Sequence, residues 1–306
     1  MTPQSAHFGR LGAADIRLLR TFATVVEHGG FTEALEALAV APSTLSTDIG
    51  NLEKRLGVRL CGRGRGGFRL TERGREIYQE SLVLFAAMEV FEAKVAAMKG
   101  RLIGELRIGL IDNSVFDPAT RLPGTIARFA ERYPDVHIAV SVLSPEEIEE
   151  ALPAGRLDLG IGVFPRKRAG FANVAVFSEM LDLYCGRDHA LFSRAPDRLA
   201  EADLADAALA KGIYLPPPGQ GLRGLLAAPG ASAQQAEGLA FLIQSGRFIG
   251  YLPRRYAAIW VDAGLMRPLL PEIASCATKF HIITHQEPEP SPVLRAFLEE
   301  LRGQAG

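Results

Sequence analysis

The chain has very few cysteines. Cys61, Cys185 and Cys276 are widely separated and odd in number, which excludes both a disulfide framework and a zinc-ligand spacing. Reduced, structural thiols are the plain expectation for all three; a redox-sensing pair is the sharper alternative. The six histidines, His7, His28, His137, His189, His281 and His285, show neither metal spacing nor a nucleophile nearby, so each reads as structural or exposed. G-x-S-x-G, P-loop and H-E-x-x-H patterns are missing. No segment reaches membrane-spanning length, and the first dozen residues lack the apolar run of a signal peptide. These absences argue against catalysis, a metal or cofactor, and a membrane partner, and place the chain in the cytoplasm.

The 306 residues suffice for two or three domains with sizeable cores, and a hydrophobic content of 48% with 23% charged residues is ordinary for a globular protein. Net charge is only −1, with no global basicity to suggest nucleic acid. Its distribution is more telling. Residues 1–75 hold 11 Lys/Arg against 7 Asp/Glu, and the remainder 23 against 28: a mildly basic head on an acidic body.

Within that head, Ile16, Leu18, Leu19, Phe22, Val25 and Val26 recur at helical spacing up to Gly29-Gly30. Thr32 stands where an N-cap belongs, opening a second helix with Ala34, Leu35 and Leu38 inward. That helix breaks at Ala39-Val40-Ala41. Pro42, with its φ preset for a first helical position, starts a third whose apolar stripe is Leu45, Ile49, Leu52 and Leu56. The opposite face carries Ser43, Thr44, Thr47, Asp48 and Asn51, short polar groups suited to base edges at the bottom of a major groove. Polarity alone would fit any solvated helix face, and Asp48, which phosphate repels, is tolerable mainly opposite a cytosine amino group. What favours DNA is the next segment, 61–71, an Arg-Gly hairpin signal in which Arg63, Arg65 and Arg69 are long enough to reach phosphates. Gly62, Gly64 and Gly67 formally satisfy G-x-G-x-x-G, but a charged helix precedes them and a strand-like Phe-Arg-Leu-Thr follows, the wrong context for a dinucleotide.

This head resembles the LysR-type transcriptional regulators, and the similarity extends over nearly the whole chain. It is carried by Phe31-Thr32, Leu45-Ser46, Ile49, Leu52-Glu53, Leu56-Gly57, Val58 with Leu60, Arg63 and Leu70-Thr71. Two departures stand out: Ala41-Pro42 replaces the usual Ser-Gln before the third helix, and Thr47-Asp48 replaces an arginine followed by glutamine or histidine. Base preference is accordingly expected to differ from that of typical members.

The resemblance implies an α+β multidomain chain. A winged helix-turn-helix (14–72) follows a tail (1–13), then comes a long linker helix (73–100), then a two-lobed α/β effector domain resembling a periplasmic binding protein (101–306). Lobe 1 is expected over 105–164 and 265–306 and lobe 2 over 165–264. The residues agree. Between 73 and 99, Ile77, Leu84, Phe91 and Met98 fall seven apart, with Ser81, Met88 and Val95 interleaved, a heptad seam for a homodimer that could pair further into a homotetramer. From Glu105, strands at 106–111, 136–142 and 157–164 alternate with helices at 117–132 and 145–153, a βαβαβ pattern with a parallel sheet. A similar set is expected beyond: strands 180–185, 213–215, 248–252 and 279–284, helices 201–210, 234–245, 253–263 and 291–302.

Ligands in such sheets sit at the carboxyl ends of strands. Asp112-Asn113-Ser114, Phe164, Tyr214 and Gln235 are therefore the candidate effector contacts, although a cap on the next helix would account for one of the first three equally well. Arg166, Lys167 and Arg168 read as a solvated loop. The expected function is a ligand-responsive, non-enzymatic regulator binding double-stranded promoter DNA and a small metabolite, the family tending toward carboxylates. The rival is a solute-binding protein or enzyme on the same two-lobed scaffold with a vestigial head; the missing signal peptide and catalytic constellation count against it.

Overall fold

The computed structural model describes residues 11–62, 68–114, 121–164, 168–195, 198–212, 229–286 and 290–303. The chain divides into two compact units, one running to Glu92 and taking in Ala154–Arg156, the other comprising Ala93–Pro153 and the chain from Leu157 onward.

The first unit begins with α1 (Ala13–Glu27), α2 (Phe31–Leu38) and α3 (Pro42–Leu56). Their apolar stripes meet in one core in which Phe22, Val25, Ala34, Leu45, Ile49 and Leu52 are fully buried. Each such large side chain contributes about 1.5–3 kcal/mol by leaving water. One expectation needs correction. Thr32 is not the N-cap of α2; Gly30 is, and Thr32 lies exposed within the first turn. The Gly29 turn (φ 75°) brings the helix start forward, and Phe31 is drawn in by edge-to-face contact with Phe68, centroids 5.9 Å apart.

A two-stranded hairpin follows, β1 (Cys61–Gly62) against β2 (Arg69–Leu70). Glu53 and Thr71 moor its base. The Glu53 carboxylate accepts the Leu60 and Cys61 amides at 2.8 and 3.3 Å. The Thr71 hydroxyl donates to the Arg59 carbonyl at 2.6 Å and accepts the Gly74 amide at 2.8 Å, capping the 27-residue α4 (Glu72–Met98). Gly57, at φ 72°, supplies the left-handed turn that ends α3. The family motif therefore has a physical content: it fixes the hairpin to α3 and α4. Ile77, Leu84 and Phe85 of α4 pack on the head core, whereas Phe91 and Met98, further along the heptad seam, are 67% and 85% exposed.

The second unit opens with β3 (Gly104–Leu110), α5 (Leu122–Arg132), β4 (Val136–Val142), α6 (Pro145–Ala151) and β5 (Leu159–Gly162). β3 lies parallel to both β4 and β5, as the βαβαβ pattern requires. Then come β6 (Phe171–Gly186), β7 (Leu209–Lys211), β8 (Pro229–Ser232), α7 (Ala236–Gln244), β9 (Ile249–Pro253), α8 (Arg254–Asp262), β10 (Met266–Pro268), α9 (Pro271–Ala274), β11 (Cys276–His285) and α10 (Pro292–Arg302). One sheet contains the strands in the order β4-β3-β5-β11-β6-β9-β7-β8, with β10 on β6.

Two expectations for this half fail. The sheet is mixed: β11 runs antiparallel to β5 and β6, and β6 antiparallel to β9. The segment 201–210 is not a helix; a single 3₁₀ turn (Glu201–Leu204) gives way to β7, where Leu209 and Ala210 are buried. A short apolar run inside a sheet has the same composition as a buried helix turn, and periodicity does not separate them. The expected strand 213–215 lies outside the described residues.

Candidate nucleic-acid interface and effector site

On α3 the buried stripe and the polar face separate cleanly. Leu45 and Leu52 are completely buried and Ile49 nearly so, while Ser43, Thr44, Thr47 and Asn51 are exposed together on the far side. The Thr47 hydroxyl donates to the Ser43 carbonyl at 2.8 Å, leaving its methyl and an oxygen lone pair outward. Ala41 offers no side-chain cap, so the helix start leaves its first amides without a capping side chain. Asp48 is differently placed. It sits between stripe and face, and both its oxygens accept from Arg17 of α1, at 2.7 and 3.3 Å. A second ion pair of reversed polarity joins the same two helices, Arg55 to Asp15 at 3.1 Å. The Gly12 amide, and then Arg55, hold the Asp15 carboxyl below its ordinary range. Arg69 is exposed on β2; Arg63 and Arg65 lie outside the described residues. Sequence reasoning missed Arg17 because nothing in its spacing distinguishes it from any exposed helical arginine.

In the second unit Asp112, Asn113 and Ser114 follow the carboxyl end of β3. The Asp112 carboxylate accepts the Ala236 amide at the first turn of α7, a contact spanning 124 positions of sequence. Gln235 precedes that helix, exposed, and makes no side-chain cap. Asp112 therefore does for α7 what a local cap would have done, and the positive end of the helix favours it. Asn113 adopts a left-handed conformation (φ 67°), and both polar atoms of its amide are buried with no hydrogen bond among the described residues. Ser114 is 7% exposed. Phe164 is a core side chain at 4% exposure, and Tyr214 lies outside the described residues.

A polar network centred on the buried Asp182 sits on β6. Asp182 accepts from Arg254 at 2.7 and 2.9 Å, from the Ser275 hydroxyl at 2.5 Å and from Tyr184 at 3.1 Å. Burial alone would raise this carboxyl; the Arg254 and Ser275 hydrogen bonds outweigh it and hold the group below its ordinary value. Nearby, Cys185 and Cys276 are both buried, and burial pushes each thiol up to about 11. Thiols so protonated are poor nucleophiles, which removes the chemical basis for a reactive pair. At pH 8 an aromatic disulfide reagent should label these two cysteines only slowly in the native protein and rapidly after denaturation. Rapid native labelling of both would contradict this account.

An N-terminal winged helix-turn-helix joined through one long helix to an α/β sheet domain defines a DNA-binding regulator with a ligand-binding body. Residues 16–75 match the bacterial regulatory helix-turn-helix protein, lysR family, and residues 99–306 match the LysR substrate binding domain. The chain belongs to the LysR family of transcriptional regulators. It is 43% identical over 292 residues to the HTH-type transcriptional activator BauR of Pseudomonas aeruginosa, covering 95% of each. Its fold is that of the LysR family regulator CbnR, in a full-length structure complexed with target DNA, with a TM-score of 0.63, 22% identity, and 95% of this chain and 99% of that one covered. A full-length OxyR variant from Pseudomonas aeruginosa superposes with a TM-score of 0.59 at 19% identity, covering 96% of each chain. The chain is thus a ligand-responsive transcriptional regulator and not an enzyme. Among the described residues, no helix is long and apolar enough to cross a membrane.

Proposed function

We propose that this regulator acts in the cytoplasm as a homodimer, itself able to pair into a tetramer. In this reading Ser43, Thr44, Thr47 and Asn51 read base edges, and Arg69, with Arg63 and Arg65 between the two hairpin strands in sequence, grips phosphate. The observation that carries it is the division of α3 into a fully buried stripe and a continuous short polar face beside a basic hairpin. Thr32, exposed in the first turn of α2, is a further backbone contact. The exposed Phe91 and Met98 continue a seam whose earlier members are packed, which suits pairing with a second α4.

The effector site is assigned to the turn after β3. The Asn113 amide has donors and an acceptor buried and unused, which is costly unless a ligand completes them. Ser114 directly follows Asn113, and Gln235 directly precedes Ala236, whose amide Asp112 accepts. Asp112 already occupies the α7 N-terminus, so a carboxylate effector would compete with it for the same amide. Binding that favours one state of this contact over the other would shift the arrangement of the sheet's two halves, and with it the DNA-binding heads.

The test is a mobility shift on DNA upstream of the chain's own gene across a salt series. Thr47→Val and Asn51→Ala should change base preference, whereas Arg69→Ala should weaken all sequences alike, by about tenfold with a shallower salt slope. Unchanged binding and preference in all three would remove this surface from the interface.

A further inference from the structure

Asp48 presents a difficulty for any DNA surface, because a carboxylate on a face that meets phosphate should weaken binding. The pairing with Arg17 turns this around. The Asp48 side chain is only 13% exposed while Arg17 is 63% exposed. Asp48 is four residues after Thr44 and three before Asn51, at the border of the polar face. Its two oxygens take one donor from each terminal nitrogen of Arg17. A guanidinium has five donors in a rigid fork, so three remain, directed away from the carboxylate. At this border solvent therefore meets the arginine and not the acid.

We infer that Asp48 is a positioning residue for DNA binding: it holds Arg17, a cation from outside both the helix-turn-helix pair and the wing, at the rim of the α3 polar face as an extra phosphate contact. The inference rests on that face being the one that meets DNA. A long side chain loses rotamer freedom when it grips a phosphate, and a bidentate partner has already restricted this one in the free protein. The second pair, Asp15 with Arg55, locks the same two helices with opposite polarity, so the spacing of α1 and α3 does not depend on Asp48 alone.

This inference and a simple charge argument give opposite signs. Removing a negative charge near phosphate should tighten binding; removing a positioning residue should loosen it. The experiment measures anisotropy of the full-length chain on two labelled duplexes, one from upstream of its own gene and one scrambled, over a salt series. Arg17→Ala should weaken both duplexes about tenfold and lower the salt slope by about one phosphate's share. Asp48→Ala should weaken both severalfold. In the Arg17→Ala background, Asp48→Ala should reverse sign and tighten binding, since only the repulsion is left to remove. Melting temperatures of the variants check that the head stays folded, and Asp48→Asn, which keeps one acceptor, should fall between wild type and Asp48→Ala. Tighter or unchanged binding by Asp48→Ala alone would overturn the inference. Thr47→Val and Asn51→Ala, run in parallel, separate the two failures: if they alter preference while Asp48→Ala tightens binding, only the positioning role is lost; if they alter nothing, the recognition face itself is misassigned.

Discussion

Replacing Gly74 by alanine should destabilise the DNA-binding head by about 3 kcal/mol, the upper part of the range for overpacking. It should also cost most of the DNA affinity. A methyl group there would stand 1.9 Å from the Leu60 carbonyl oxygen, 2.8 Å from its carbon and 3.1 Å from its α-carbon. No side chain can yield, because the obstacle is backbone. Either α4 or the strand entering the wing must move, and both are held by Thr71, whose hydroxyl bonds the Arg59 carbonyl and the Gly74 amide. A displaced Leu60 carries with it the Cys61 amide that Glu53 holds, and so the base of the wing. Gly50→Ala is the matched comparison: nothing lies within 4 Å of its added carbon, and alanine inside a helix should raise stability by about 0.5–1 kcal/mol. Chemical denaturation of the two variants should move in opposite directions. An unchanged midpoint for Gly74→Ala would show that the helix and wing are not in contact as described.

The second large effect is expected at Asp182. Asp182→Ala removes the acceptor that Arg254, Ser275 and Tyr184 share, and should cost about 3 kcal/mol, the low end for breaking a buried pair, because Arg254 is half exposed and can rehydrate. The pH dependence has a definite sign. Since the folded carboxyl titrates below its unfolded counterpart, its contribution is complete above the unfolded value of about 3.9 and disappears as pH falls through the folded value. The stability gap between wild type and Asp182→Asn should therefore be constant above about pH 5 and narrow in more acidic solution. A gap that widened on acidification would contradict the network.

The head was nearly legible in the sequence because its helices are amphipathic with short breaks. Each apolar stripe had one destination, and Pro42 and the Gly29-Gly30 turn marked the boundaries. Thr32 misled because a hydroxyl before an apolar run is a capping signal only when the backbone there is not already helical, which a neighbouring glycine turn and Phe31 decided. In the second unit, parallel βα repeats were readable from their alternation. The direction of β6 was not. It is 16 residues long, its middle is exposed on both faces at Val174, Ala175 and Val176, and nothing local records that its partner is a strand about a hundred residues later. The same limit hid the two contacts, far apart in sequence, on which the proposed sites rest. Asp112 with Ala236 and Arg17 with Asp48 are products of tertiary proximity, and no spacing rule announces them.

The place of β11 in the sheet also sets the order in which this protein can be made. β11 lies between β5 and β6, bonded to both, yet it is made after every other described strand of this sheet. Until His285 has emerged, two central strands stand as open edges with unsatisfied amides and carbonyls. A connection of more than a hundred residues from β5 to β11, and one of about ninety from β6, must close before the sheet is complete, a slow step for any chain. The head, built from contacts close in sequence, has no such wait. During synthesis a nascent chain would thus carry a finished DNA-binding module ahead of an unfinished sensor, and truncation upstream of Cys276 should give aggregation and not a smaller sensor.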